Sequence, residues 1–170
     1  MIEQFESEVA RSLEKCANRR IAFLGIGNEL RHDDGVGPAV IDTLKACIND
    51  PSITTLNCAD VPENFTGYVK RLMPSCIILV DATDFGGYPG EAHIFTLSDL
   101  QTADVTTHKP SLAVLGAYLS SETGASVFVV GIQPVNTDFG TGLSPILRAA
   151  SNHVAEAISA ALNRSKIKGA

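Results

Sequence analysis

Three places in this chain set groups that hold protons or cations just beyond an apolar or polar run. They are His32-Asp33-Asp34, a few residues after Ile21-Ala22-Phe23-Leu24; Asp81, directly after Cys76-Ile77-Ile78-Leu79-Val80; and His108, in the stretch Thr106-Thr107-His108. Two carboxylates and an imidazole suit a divalent first-row metal such as nickel, zinc or manganese, and three protein ligands leave positions open for water or substrate. The same groups serve as general acids and bases. Each also has a plainer reading. Asp34 fits a carboxylate favoured by a helix N-terminus, and Asp33 fits a capping role at least as well. Asp81 fits an Asx turn at a strand end, and His108 a solvated loop histidine. His32 and His93 compete for the imidazole role, and composition does not choose among them.

The elements around these residues form a strand, turn, helix pattern. Ile21–Leu24 is a short continuous apolar run, as expected for a parallel strand buried on both faces. It stops at Gly25-Ile26-Gly27-Asn28, residues that supply the positive φ of a sharp turn. Pro38 then opens a helical stripe of Val40, Ile41, Leu44 and Ile48. The glycines are not a dinucleotide fingerprint, because Leu30 stands where its last Gly belongs, and no Gly-Lys-Ser/Thr phosphate loop is present. Two adjacent carboxylates would also repel a phosphate unless a cation inverted the local field.

The remaining chain repeats the alternation. A helix over 2–17, with Phe5, Val9 and Leu13 on one side, precedes the first strand. Strands follow at Ile53–Leu56, Cys76–Val80 and Ser126–Ile132, and helices run through Phe65–Leu72, Ser111–Leu119 and from Pro145 behind the N-cap Ser144. Glu91–Leu97 alternates as an edge strand of either direction. Leu97–Lys109 is polar and aperiodic and reads as a functional loop, and Asn163–Ala170 reads as a frayed polar tail. The expected fold is a single domain over 1–170, a three-layer α/β sandwich with helices on both faces of a parallel sheet. If the second and third strands flank the first, Asp34 and Asp81 converge at the switch point where such sheets bind ligands.

The 170 residues are 45% hydrophobic with a formal net charge of -6, enough for one full core and without the basic excess that nucleic-acid or anionic-membrane binding requires. No apolar run approaches the roughly 18 residues of a membrane span, and the N-terminus carries Glu3, Glu6 and Glu8 rather than a signal core, so a cytoplasmic protein is expected. Cys16, Cys47, Cys58 and Cys76 form no Cys-x-x-Cys pair. Cys47 and Cys76 read as buried inert thiols, and Cys58 as a small half-buried side chain near the sheet's carboxyl edge, with a functional thiol as its minority reading.

Four pieces in order give the chain a resemblance: Gly25-Ile26-Gly27-Asn28 with Asp33-Asp34-Gly35-Val36-Gly37, then Val80-Asp81-Ala82-Thr83-Asp84 with Pro89-Gly90-Glu91, then Thr106-Thr107-His108, then Gly131-Ile132-Gln133-Pro134. Over roughly Ile21 to Ala150 the chain resembles the hydrogenase maturation endopeptidases, which remove a C-terminal extension from the large-subunit precursor of nickel-iron hydrogenases. Pro62-Glu63-Asn64 and the Thr-Thr-His run look closest to the branch serving membrane-bound, hydrogen-evolving hydrogenases. The resemblance implies a five-stranded, mostly parallel sheet with one antiparallel strand. It also implies a nickel-binding set of Asp34, Asp81 and His108, with Asp34 and Asp81 as the catalytic carboxylates and the attacking group open. Asp34 stands where the family often has Glu. Gly27, Asn28 and Asp33 are candidates for substrate contact. Nickel would be supplied mainly by the precursor, the one expected partner, with no nucleic acid and no membrane insertion. Arg31 and His32 are less typical before the acidic pair, which leaves a contribution from His32 open. The rival readings are a non-catalytic nickel-binding assembly factor using the same residues and a hydrolase with resident zinc.

Overall fold

The computed structural model describes residues 2–16, 20–102, 106–107 and 111–168. Among them are six strands and six α-helices, in the order α1 (Ile2–Glu14), β1 (Ile21–Ile26), α2 (Val36–Cys47), β2 (Ile53–Ala59), α3 (Thr66–Leu72), β3 (Cys76–Asp84), β4 (Ala92–Thr96), α4 (Leu97–Thr102), β5 (Thr106–Thr107), α5 (Ser111–Thr123), β6 (Ser126–Ile132) and α6 (Pro145–Lys168). Two 3-10 turns, His32–Gly35 and Pro62–Phe65, lead into α2 and α3.

Five strands form the sheet in the order β2-β1-β3-β6-β4, and the two-residue β5 pairs with the end of β3. β2, β1, β3 and β6 run parallel, while β4 pairs antiparallel with β6, so Glu91–Leu97 does carry the antiparallel edge strand. β1 lies between β2 and β3, which puts the switch point between β1 and β3, with Gly25 opposite Val80. That arrangement follows from burial. β1, β3 and β6 read as continuous apolar runs because helices cover both their faces, whereas every residue of edge strand β4 is only half-buried.

On one face, α1, α2 and α6 pack Phe5, Val9, Leu13, Val40, Leu44 and Ile158 against Phe23, Ile78 and Val130. On the other, α3 and α5 pack Val69, Leu112 and Leu119 against Leu24, Ile77, Leu79 and Val129. Burying each such side chain contributes about 1.5–3 kcal/mol relative to leaving it in water.

Three expectations need correction. Leu97–Lys109 does not form one loop: Leu97–Thr102 is a helix and Thr106–Thr107 a strand. The helix has a local cause. Thr96 donates its N–H and its hydroxyl to Asp99 Oδ2, each at 2.7 Å, while Asp99 N–H donates back to Thr96 Oγ1 at 3.3 Å, the reciprocal pattern of a capping box. Leu97 and Leu100 then pack on the α5 side of the core. Second, α6 does not end at Asn163 but continues to Lys168; Ala161 and Leu162 are buried, and Arg164 pairs with Glu6 of α1 at 3.2 Å. Third, Cys47 is exposed at the end of α2, and Cys76 is not a lone thiol: it forms a disulfide with Cys16, 60 residues away, their Cα atoms 5.3 Å apart.

Candidate functional site at the carboxyl edge of the sheet

The β1–α2 connection is built by close approach. Gly27, at φ +143°, lies so near the Asp34 carbonyl that a Cβ would overlap it. Gly37, in the first turn of α2, leaves no room for a Cβ between the carbonyls of Ile26 and Val80. These contacts seat the His32–Gly35 turn against the ends of β1 and β3, and the turn packs directly on β3. Asp34 is 5% exposed, and its Oδ2 accepts the Asn28 N–H at 2.7 Å. Asp81, on the neighbouring strand one residue beyond the Gly25–Val80 pairing, is 2% exposed. Both carboxylates are therefore buried on the carboxyl side of the β1–β3 pairing, Asp34 in the turn after β1 and Asp81 on β3. His108 lies outside the described residues. Its chain neighbours Thr106 and Thr107 pair with Asp84 and Thr83, three and two residues beyond Asp81. Among the described residues, no three His, Cys, Asp or Glu groups come together as a metal set.

Asp33 and Asp34 are neighbours with different work. Asp33 is wholly buried, and both its oxygens are engaged: Oδ2 accepts the N–H groups of Val135 and Asn136 at 3.0 and 3.1 Å and the Ser144 hydroxyl at 3.1 Å, while Oδ1 accepts the Ser144 N–H at 2.7 Å. It ties the site turn to the β6–α6 loop as a positioning residue, and Ser144 in turn caps α6 through Leu147 N–H at 3.4 Å. Asn28 holds the other side of the turn, donating its N–H to Asp34 and its side-chain amide to Asp60 Oδ2 at 3.2 Å.

His32 belongs to the same clamp. Its φ is +43°, its N–H donates to Gly140 O at 2.9 Å, its Nδ1 lies 3.1 Å from Gly142 O, and its ring fills the space over Gly140. Arg31 Nε donates to Thr137 O at 3.0 Å, and its guanidinium lies 5.7 Å from the centre of the Phe139 ring. His93 sits on β4, its Nε2 2.9 Å from Glu91 Oε1 and its Nδ1 3.8 Å from Glu8 Oε2. The Glu91 carboxyl is held below its ordinary range by the Tyr88 N–H and then by His93. Cys58 is fully buried, and burial pushes its thiol up to about 12, so at neutral pH it is protonated and no nucleophile.

One organising residue stood within a quoted motif, Gly131–Pro134, without being given a role. Gln133, 7% exposed, accepts the N–H groups of Phe85 and Gly87 with Oε1 at 3.0 and 3.1 Å and donates from Nε2 to Asp84 Oδ1 at 3.0 Å. It fixes the β3–β4 loop beside Asp81 much as Asp33 fixes the β6–α6 loop. Its sequence signal was a lone amide directly after the buried run of β6.

Residues 38–161 match the family of HycI-type hydrogenase maturation proteases. The Hydrogenase 3 maturation protease of Escherichia coli K12 is 33% identical over 113 residues, covering 66% of this chain and 71% of that one. The crystal structure of the HycI [NiFe] hydrogenase maturation protease from Thermococcus kodakarensis superposes with a TM-score of 0.80 at 30% identity, covering 88% of this chain and 97% of that one. The solution structure of the E. coli endopeptidase HycI gives 0.73 at 28% identity, covering 82% and 89%. With family, relatives and fold in agreement, the chain belongs to the hydrogenase maturation proteases and is a hydrolase of the endopeptidase class.

Proposed function

We propose that this endopeptidase removes the C-terminal extension of the nickel-loaded large-subunit precursor of a nickel-iron hydrogenase, in the cytoplasm, with the nickel arriving as part of the substrate. The observation that carries this reading is the pair of buried carboxylates, Asp34 in the turn that follows β1 and Asp81 on the adjacent strand β3, just past its last pairing with β1. β5, pinned to the end of β3, precedes His108 in the chain and supports it as the third ligand. Carboxylate and imidazole donors match a borderline divalent ion. Held by these residues, the precursor's metal fixes the scissile peptide in the crevice and raises its effective concentration there. One of the carboxylates, Asp34 or Asp81, would then orient the attacking water, and the cation would supply Lewis-acid polarisation of the carbonyl. The protonated Cys58 removes the one buried thiol from consideration as the attacking group. Gly27 and Asn28, which line the Asp34 turn, are the proposed substrate contacts, and Asp33 acts behind them by holding that turn. No helix among the described residues is long and apolar enough to cross a membrane. Pro62-Glu63-Asn64, Thr106-Thr107-His108 and the relative named for hydrogenase 3 favour the branch serving membrane-bound, hydrogen-evolving enzymes.

The test is mass spectrometry of nickel-loaded and nickel-free precursor after incubation with the chain. Loss of a C-terminal peptide from the loaded precursor alone is the expected result. Cleavage of both forms refutes the metal requirement, and intact precursor in both, with the protein bound, points to an assembly factor instead.

A further inference from the structure

The loops at the carboxyl edge hold large apolar side chains in water on backbone that is firmly hydrogen-bonded. Leu30, Tyr88, Val135 and Phe139 are 58%, 77%, 57% and 81% exposed. None sits on slack chain. Leu30 N–H donates to Asn28 Oδ1 and its carbonyl accepts Gly140 N–H, both at 2.9 Å. Val135 N–H is held by Asp33 at 3.0 Å, and Tyr88 N–H by Glu91 at 2.8 Å. The Phe139 ring rests beside the Arg31 guanidinium. The loops that carry these residues are tied together, because the Leu30 and Phe139 segments are bonded to each other and Gln133 joins the Tyr88 loop to the chain just ahead of Val135. Apolar groups preorganised in water at a site edge are what a protein interface uses as anchors.

Charge says what kind of surface they meet. The Leu30 and Phe139 loops expose Glu29 and Asp138, and the β2–α3 connection, tied to the Leu30 loop through Asn28 and Asp60, exposes Asp60 and Glu63, whereas Arg31 is half-buried and already engaged with Thr137 and Phe139. Among the described residues, these loops are apolar and acidic. We propose that Leu30, Tyr88, Val135 and Phe139 form a docking collar for a basic, apolar surface of the folded precursor, separate from the peptide being cut. This rests on the function proposed above. Docking of this kind would let the protease read the precursor's folded surface as well as its metal, with like-charge repulsion excluding acidic proteins.

The experiment uses the full chain and the nickel-loaded precursor, with binding by fluorescence anisotropy and processing by mass spectrometry. Val135→Ser/Phe139→Ser, changing exposed side chains only, should keep the wild-type Tm and circular dichroism but raise KM about tenfold, the loss falling on KM rather than kcat. Glu29→Lys/Asp138→Lys should weaken binding and flatten its dependence on salt. A wild type that processes the precursor beside a Val135→Ser/Phe139→Ser variant of unchanged KM and affinity overturns the collar alone. A wild type that neither binds nor cleaves the precursor overturns the function and the collar together. Self-association of the wild type that the double variant loses, with precursor affinity unchanged, assigns the patch to a second copy and also overturns the collar.

Discussion

The two faces of the sheet and its carboxyl edge are held together by different physics. The faces are apolar: Phe23, Leu24, Ile77, Leu79 and their helical partners are buried with almost no polar company. The edge is polar and buried at once. Asp33, Asp34, Asp81, Thr83 and Gln133 are all buried, and Asp33 and Gln133 alone take the backbone amides of five residues from two loops. Apolar packing is non-directional and adapts to small changes of shape. Buried hydrogen bonds are directional, and losing one partner leaves the other desolvated. The faces therefore determine how stable the molecule is, and the edge determines where the buried carboxylates Asp34 and Asp81 stand.

Substitutions at both places sharpen that contrast. The largest effect expected is on processing: Asp34→Ala should abolish precursor cleavage while leaving a folded protein, because the main structural loss is one acceptor for Asn28 N–H, about 1 kcal/mol. Asp34→Asn, which keeps an acceptor oxygen, should fold as well as wild type and still fail to cleave. Normal cleavage by either folded variant would remove Asp34 from the site. On the face, Leu79→Ala should lower stability by about 3–4 kcal/mol through the cavity it leaves, with cleavage unchanged at temperatures where the variant stays folded. Chemical denaturation and single-turnover cleavage measure the two quantities separately. At the edge, Asp33→Ala should cost about 2–4 kcal/mol and slow cleavage under the same folded conditions, since it frees three amides and a hydroxyl. If Asp33→Ala behaved like Leu79→Ala, losing stability but no activity, the division between face and edge would fail.

The smallest effect concerns pH. The Glu91 carboxyl is depressed chiefly by the Tyr88 N–H, with the neighbouring His93 adding to it. A depressed carboxyl contributes stability above its unfolded value, and that contribution disappears as pH falls through the folded value. The group is solvent-accessible, so about 0.5 kcal/mol is expected. Glu91→Gln should flatten the decline in Tm between about pH 5 and pH 3; an unchanged slope would assign that decline to other carboxylates.

The same division explains what the sequence made visible. β1, β3 and β6 were legible because a strand covered on both faces must be apolar throughout, and α1 because its buried side recurs at helical spacing. The positions of Asp34 and Asp81 followed from where those runs stop. What escaped was held by partners remote in the chain. Asp33 meets donors 102 to 111 residues away, Cys16 meets Cys76 across 60, and Gln133 meets Phe85 across 48. No local periodicity encodes such contacts. The helix α4 was missed for another reason: it is six residues long, too short for a stripe, and its only local sign was the Thr96–Asp99 spacing of a capping box.

The tight seat of Gly37 has a consequence for reading mutational landscapes. In a library of all single substitutions selected for precursor processing, this position should tolerate almost nothing, since any side chain meets the carbonyls of Ile26 and Val80. Its profile would resemble that of a catalytic residue although it handles neither proton nor substrate. Intolerance there reports how closely a helix must approach two strands, and only a separate assay of folded protein would tell it apart from the intolerance of Asp34.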